Sequence, residues 1–245
     1  MEVTTTEIAP DIFRLSVTPP DSPVSFGCFL IRDEQPAMVE TGFLGMFPLF
    51  RDAVTNLVDL DSLRHFIVPH FEMDECGSLN EFLAAAPQAQ PVVSPVGAAV
   101  TLPDFCDAKP LVVTSGDTLN LGSKTLRFIL APWVHYWDSL VVYDETDRLL
   151  FSSDLFMQMG DREPLTEENR TDEVVECARF FGLLPSQAHL NQLLDRLEPL
   201  EIETLACHHG SVLRGDPKPY YAALRDHAAD IVNAPFYEMQ GEGGP

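Results

Sequence analysis

The stretch VPHFEMDECGSL, residues 68–79, places a histidine and three acids within six positions, directly after an apolar run. Its spacing is His70-x-Glu72-x-Asp74, and Glu75 follows at once. Alternate residues of an extended segment point the same way, so one loop can direct the first three side chains at a single place. Carboxylates this close repel one another unless a cation lies between them. The stretch therefore indicates a metal site, although an acidic surface loop would have a similar composition.

Other potential metal ligands follow the ends of predicted strands elsewhere in the chain. RHFIVPH ends at His70, KTLRFILAP precedes His135, a hairpin precedes Asp154, and EIETLAC precedes His208 and His209. Ligands of α/β proteins gather beyond the carboxyl ends of strands, where loops converge. His70, His135 and one histidine of the pair His208 and His209 supply three imidazoles. Glu72, Asp74 and Asp154 supply three carboxylates. This set suits two metal ions, with one carboxylate bridging them.

The elements that must position these residues are strands mixed with helices in both halves of the chain. The sequence predicts strands over 11–18, 25–33 and 36–42, a hairpin with its turn at Asp144–Asp147, and helices from about Pro48, over 77–87, 171–182 and 186–197, and from about Pro217. This order predicts two packed sheets with helices outside. Since no Gly/Ser/Pro-rich linker divides the chain, we expect a single domain over residues 1–245, with a frayed tail at about 240–245.

Composition excludes several classes of function. The chain has 245 residues, 45% of them apolar, and a net charge of −23 from 38 acids against 15 Lys and Arg. A protein that neutralises phosphates needs basic patches, and the sequence has none, which argues against nucleic acid and anionic membranes as partners. No apolar run is long enough to span a bilayer, and no secretory signal is recognisable. Five scattered cysteines without a CxxC pair favour reduced thiols and a cytoplasmic location.

The order of these motifs resembles a known family. His-x-Glu-x-Asp after a strand, then a His, an Asp and a His-Gly, is similar to the diiron domain of flavodiiron proteins, with similar gaps between the motifs. The resemblance runs from CFLIRDEQPAMVETG to CHHG and looks closest to the stand-alone oxygen-binding diiron proteins, which lack a flavodoxin domain. It implies the metallo-β-lactamase fold, an αββα sandwich of two facing mixed sheets with external helices.

The resemblance also implies a ligand set and a function. One iron would be held by His70, Glu72 and His135, the other by Asp74 and His209, with Asp154 bridging them. The last ligand of the family immediately precedes Gly, which favours His209 over His208. The implied protein is a non-haem diiron protein that binds O2 or NO and reduces it where an external redox protein supplies electrons. FMN is not expected in this chain, and a homodimer is.

Two features of the motif leave alternatives open. Glu75 stands where many flavodiiron proteins have a histidine, so it is an additional ligand, an acceptor behind the ligands, or a spectator. Glu72 stands where hydrolytic members of the fold have a histidine of a nitrogen-rich zinc site. A carboxylate makes the site harder, which favours iron or manganese over zinc. The alternative function is a dinuclear zinc-dependent hydrolase, which uses the same two-metal arrangement.

Other conspicuous residues have more than one reading. Asp138 either orients an imidazole or caps a strand. Trp133, Tyr136 and Trp137 either line a pocket or pack, and Trp137 stands where a proline is more usual. Segment 155–170, with Phe156, Met157 and Met159, is either a lid or a packed cluster. Further expectations are packing for Cys76 and Cys207, a structural or solvent-facing place for His208, and no special role for His65, His189 and His227.

Overall fold

Two seven-stranded sheets face each other in the computed structural model, which describes residues 1–233. The first sheet comprises β1 (Thr4–Ala9), β2 (Ile12–Val17), β3 (Phe26–Ile31), β4 (Ala37–Val39), β5 (His65–Ile67), β6 (Gln90–Val93) and β7 (Leu111–Val112). The second comprises β8 (Thr118–Asn120), β9 (Thr125–Leu130), β10 (Leu140–Asp144), β11 (Leu149–Ser153), β12 (Leu165–Thr166), β13 (Thr204–Cys207) and β14 (Val212–Arg214). The tail expected to fray at 240–245 lies outside the described residues.

Eight α-helices accompany the strands within residues 1–233. They are α1 (Phe47–Thr55), α2 (Met73–Cys76), α3 (Leu79–Ala85), α4 (Leu102–Phe105), α5 (Thr171–Phe181), α6 (Gln187–Leu197), α7 (Lys218–Asp226) and α8 (Ala228–Val232). Pro48 lies in the first turn of α1, where its missing N–H costs no helical hydrogen bond. The longer predicted elements are confirmed, and so are the predicted strands that correspond to β4 and β5. Strands β1, β6, β7, β8, β12 and β14 were not predicted from the sequence.

Both sheets are mixed. The first runs in chain order from β1 to β7, antiparallel as far as β4 and parallel from β4 onward. The second has the order β12-β14-β13-β11-β10-β9-β8, and in it β11 and β13 are parallel neighbours. Parallel neighbours end at the same edge, so β4 with β5 and β11 with β13 each bring the loops that follow them together.

The core has three apolar layers. Between the sheets, Phe29 of β3 packs edge-on against Phe151 of β11, with ring centroids 5.3 Å apart. The outer face of the first sheet is covered by α1 and α3 through Phe50 and Phe82, and that of the second by α5 to α8. Strands buried on both faces read as continuous apolar runs, which is why FGCFLI and LLFSS do not alternate. The predicted αββα sandwich is confirmed.

No helix within residues 1–233 is long and apolar enough to cross a membrane.

Asp144, at the end of β10, is a buried acid that belongs to none of the groups of potential metal ligands described below. Burial raises the pKa of its carboxyl to about 6, and neighbouring Asp147 adds to this, although the backbone N–H of Thr146 donates to Asp144 Oδ1 at 2.9 Å. The folded chain therefore retains a proton that the unfolded chain loses near pH 4. The carboxyl lowers the free energy of unfolding progressively as the pH rises from about 4 to about 6.

Asp144→Asn should remove this pH dependence, because the amide oxygen can still accept the Thr146 N–H without ionising. We expect the stability advantage of the variant over the unsubstituted protein to be larger at pH 8 than at pH 5 by about 1 kcal/mol, since one pKa unit corresponds to about 1.4 kcal/mol. Urea unfolding of metal-free protein at both pH values measures this difference.

Asp33→Asn is the control for this experiment. Despite some burial, hydrogen bonds from the backbone of Ser123, Glu34 and Lys124 lower the pKa of Asp33, so this carboxyl is ionised in both states at pH 5 and pH 8. Its loss should destabilise the protein equally at the two pH values. Equal effects of Asp144→Asn at pH 5 and pH 8 would contradict a raised pKa at Asp144.

Candidate metal centre

Loops from both sheets converge at one edge of the sandwich. His70 follows β5 in the first sheet, and Asp154 and His209 follow the parallel pair β11 and β13 in the second. His135 follows β9 after a short loop. Each side chain emerges where backbone pairing stops, so it can turn toward the gap between the sheets. The structure brings these strand-end residues close together at this edge.

A first group consists of two imidazoles and two carboxylates. Glu72 Oε2 lies 3.1 Å from His70 Nε2 and 3.2 Å from His135 Nε2. Asp154 Oδ2 lies 2.8 Å from His135 Nε2 and 3.6 Å from His70 Nε2. Two ligands about 2.1 Å from one metal lie about 3.0–3.4 Å apart at octahedral to tetrahedral angles. Two of the four distances lie in this range and the other two lie close to it, and one ligand atom of each residue is within 4.8 Å of the others, so the four residues can reach one ion.

A second group lies on the other side of Asp154. Asp74 Oδ2 is 3.3 Å from His209 Nε2 and 3.7 Å from His208 Nε2. Asp154 Oδ1 is 3.4 Å from His209 Nε2 and, within the described residues, has no hydrogen-bond partner. The two oxygens of this buried carboxylate thus face two different groups. That is the arrangement a bridging carboxylate needs.

The charges of the two groups stabilise one another. Burial alone would raise the pKa of Glu72, but hydrogen bonds with His135 and His70 hold it at about 2. Burial likewise disfavours ionised Asp154, yet the hydrogen bond with His135 and the nearby His209 and His70 lower its pKa. The same two carboxylates overcome the burial of His135 and raise its pKa to about 9. The carboxylates of the first group are therefore ionised and ready to bind a cation.

Glu75 lies behind the first group. It is fully buried, its Oε2 is 3.0 Å from His70 Nδ1, and the hydroxyl of Ser153 donates to its Oε1. Burial and the nearby carboxylates of Asp154 and Glu40 raise its pKa well above the ordinary value. Of the three readings that the sequence leaves open, the structure favours the acceptor behind a ligand, because Glu75 contacts the imidazole nitrogen that points away from the group.

His208 is the main departure from the sequence expectations. The solvent-facing reading is wrong: the side chain is fully buried, beside His209, with ring centroids 4.3 Å apart. Its Nδ1 lies 2.8 Å from Oε2 of Glu40, a residue that sequence reasoning missed. Glu40 directly follows β4, so the strand-end rule applied to MVETG would have found it.

The remaining conspicuous residues surround the centre. Asp138 Oδ2 accepts the backbone N–H of Phe71 at 3.1 Å, so it fixes the loop after His70 rather than orienting an imidazole. Tyr136 stacks on the ring of His70 with centroids 4.8 Å apart. Trp133 and Trp137 are each 46% exposed, so neither packs in the core, and neither lines the cavity described below.

Cys76, Cys207 and the apolar residues of segment 155–170 are packed. The remaining histidines lie outside the two groups of potential metal ligands. Cys76 and Cys207 are buried and donate to backbone carbonyls, and His65, His189 and His227 belong to neither group. Phe156 lies in the core under the second sheet, and Met157 packs against Val24 and Cys177, which favours a packed cluster over a lid.

A cavity of about 260 Å³ opens beside both groups. Its apolar wall is formed by Val24, Phe26, Phe43, Met157, Phe181 and Leu183, and its floor by the carboxylates and imidazoles themselves. No Lys or Arg is among the described residues that line it. The floor is acidic and the wall apolar, so the cavity suits a small uncharged molecule better than a phosphate ester.

Comparison with known proteins gives consistent results. Residues 24–210 match a family model described as ODP family beta lactamase. The type A flavoprotein fprA of Rhodobacter capsulatus is 31% identical over 211 residues, which cover 82% of this chain and 48% of that protein. The anaerobic nitric oxide reductase flavorubredoxin of Pectobacterium carotovorum is 32% identical over 208 residues, 79% of this chain and 40% of that protein.

A solved structure shows the same fold. The flavodiiron protein from Giardia intestinalis superposes with a TM-score of 0.79 at 22% identity, covering 93% of this chain and 59% of that one. The chain spans about half or less of the length of the two curated relatives.

Asp154→Ala should lower the metal content of both sites, because each oxygen of this carboxylate faces a different group. We expect metal-loaded protein to fall from two ions per chain to fewer than one, as measured by elemental analysis after gel filtration. Asp138→Ala is the matched control. It also removes a buried carboxylate and leaves the Phe71 N–H unpaired, at about 1–3 kcal/mol of stability, but it should retain both ions. Unchanged loading of Asp154→Ala would exclude that residue from the bridge.

Proposed function

The chain belongs to the ODP family of beta-lactamase-fold proteins, and from this we propose that it is a non-haem diiron protein that binds O2 or NO and reduces it with electrons supplied by a separate redox protein. His70, Glu72 and His135 would hold one iron, and Asp74 and His209 the other. The observation that carries the proposal is the position of Asp154, whose two oxygens face two separate sets of ligand atoms.

The donor atoms fit iron. The six proposed ligands supply three imidazole nitrogens and three carboxylates, a harder and more anionic set than the nitrogen-rich sets typical of zinc. Bound as a pair, two irons would supply the electrons that O2 or NO accepts. The carboxylates of Glu72 and Asp154 are ionised, which favours the ferric state over the ferrous one because more negative charge faces the metal.

The residues behind the ligands hold the imidazoles in place. Nδ1 of His70 contacts Glu75 and Ser153, and Nδ1 of His209 donates to the backbone carbonyl of Ser25 at 2.6 Å. Each contact turns the Nε2 atom toward the centre and fixes the tautomer that can bind a metal. Tyr136, stacked on His70, limits rotation of that ring from the exposed side.

The cavity supports a small neutral ligand. Its apolar wall lies beside the ligand atoms, and no Lys or Arg is among the described residues that line it. O2 and NO are both small and uncharged and need no such partner.

The names of the relatives favour the same class of reaction. One relative is named a nitric oxide reductase flavorubredoxin, and a structural relative is named a flavodiiron protein. This chain matches only part of each, so a flavin is no part of the proposal for residues 1–233, and electrons come from outside. A net charge of −23 suits a donor with a basic face, because opposite charges accelerate encounter.

Metal analysis combined with oxygen uptake tests the proposal. Protein purified without added metal should carry about two irons per chain, and the anaerobically reduced protein should consume O2 in an oxygen electrode, whereas Asp154→Ala should not. Repeated uptake with a reductant present identifies an enzyme, and a single stoichiometric uptake identifies a sensor. A parallel NO electrode compares the two gases. Zinc in place of iron, with cleavage of a phosphodiester, would replace the proposal by the hydrolase reading.

A further inference from the structure

His208 has a nitrogen that nothing in the described part of the chain satisfies. Its Nε2 is buried, has no hydrogen-bond partner among residues 1–233, and lies 3.7 Å from Asp74 Oδ2, on the side of His209. A buried imidazole nitrogen without a partner is costly, and such groups are rare in folded proteins. The atom points at the second group, so a cation bound there would satisfy it.

The surroundings of His208 repeat those of two proposed ligands. In His70 and His209, Nδ1 contacts a protein oxygen and Nε2 faces the centre. In His208, Nδ1 contacts Glu40 Oε2 at 2.8 Å and Nε2 faces Asp74. A carboxylate that accepts the Nδ1–H fixes the tautomer whose Nε2 lone pair is free, as it does behind many metal-bound histidines. His65 is also a buried histidine, but it differs from His208 because neither of its ring nitrogens has a hydrogen-bond partner within the described chain.

Burial and a strained backbone conformation make Glu40 unfavourable for the stability of the folded protein. It is fully buried and its backbone has a φ of +66°, a conformation that residues other than glycine rarely adopt. Replacing a buried ion pair by apolar residues is often neutral or stabilising, so packing alone does not account for the Glu40–His208 pair. Strained and buried polar residues cluster at functional sites.

Without His208, the second group would have one imidazole donor fewer than the first group. The first group contains two imidazoles and two carboxylates, whereas the ligands proposed above for the second metal, Asp74, His209 and the shared Asp154, supply one imidazole and two carboxylates. One ligand atom each of Asp74, His208 and His209 lies within 4.8 Å of the others. Glu75 does not make up the difference, because its carboxylate lies behind His70. Adding His208 gives both groups the same number of each donor.

We propose that His208 is a ligand of the second metal through Nε2 and that Glu40 is its positioning carboxylate. The inference rests on the two-metal centre of the proposed function, and it does not depend on iron or on O2. Both ions then have two nitrogen and two carboxylate ligands, so the two sites should bind a given metal with similar affinity.

Cobalt(II) titration of the metal-free protein tests the inference without any enzymatic assay. The unsubstituted chain should bind two cobalt ions with similar affinity, counted by elemental analysis after dialysis and followed by visible absorption. His208→Ala should weaken the second site at least 100-fold and leave the first within threefold. His65→Ala, which also removes a buried histidine, should bind two ions like the unsubstituted chain. Two undiminished sites in His208→Ala would overturn the inference and leave the two-metal centre standing.

Glu40→Gln separates orientation from packing. It keeps the shape of the side chain but removes the charge that fixes His208, and it should weaken the second site about 10-fold, as loss of such partners commonly does. A role of the pair in packing alone predicts unchanged cobalt affinity.

A direct readout remains if His208→Ala does not fold. Anomalous diffraction at the cobalt edge from crystals of the unsubstituted protein should place an ion about 2.1 Å from His208 Nε2. A second ion bound to Asp74 and His209 but not to His208 would overturn the inference alone. An unsubstituted chain that binds no cobalt would overturn both this inference and the proposed function.

Discussion

The structure depends on the crowding of carboxylates at one edge of the sandwich. Asp74, Asp154, Glu75 and Glu40 lie together there, and the last two are fully buried. Ionised acids resist leaving water, and they repel one another at these distances. Imidazoles between them offset part of the repulsion. A pair of divalent cations would offset most of it, because each would lie among oppositely charged or lone-pair donors. The loops, the outer partners and the cavity can all be understood from this constraint.

The sandwich meets the constraint by making the ligand loops rigid. Parallel neighbours in each sheet end at the same edge. Residues at these strand ends or shortly after them have positive φ values, which residues other than glycine rarely adopt. Glu40, Ser153 and Phe156 all have positive φ values, of 66°, 53° and 73°. Tight packing around these positions can hold such conformations. Arg14, also fully buried, donates to the carbonyl of Gly210 and so fixes the loop after β13 from beneath.

The same arrangement relates the chain to its relatives and distinguishes it from them. The fold matches that of a solved relative, and position 75, where the sequence resemblance implies a histidine in many flavodiiron proteins, carries an acid that lies behind His70. The structure brings a different histidine to the vicinity of Asp74 from the other sheet. With His208 as the ligand proposed above, the centre would keep its donor count although a different loop supplies one of the donors.

The sequence by itself predicted the layers and the longer elements, and its resemblance to the diiron domain of flavodiiron proteins implied the six proposed ligands. Apolar runs and turns are local signals, and the rule that ligands follow strand ends needs no tertiary information. Edge strands such as β7 and β12 have only two residues each and give no periodic signal.

Tertiary structure decided what each side chain faces. Glu40 and His208 are 168 positions apart, and only the meeting of the two sheets places them in contact. Glu75 and Asp74 are adjacent, yet one faces the back of His70 and the other faces the second group, because α2 begins here and turns successive side chains in different directions. Spacing indicated six of the residues near the centre and missed Glu40 and the buried position of His208. Their order around it depends on helix phase and on the packing of distant strands, which spacing does not encode.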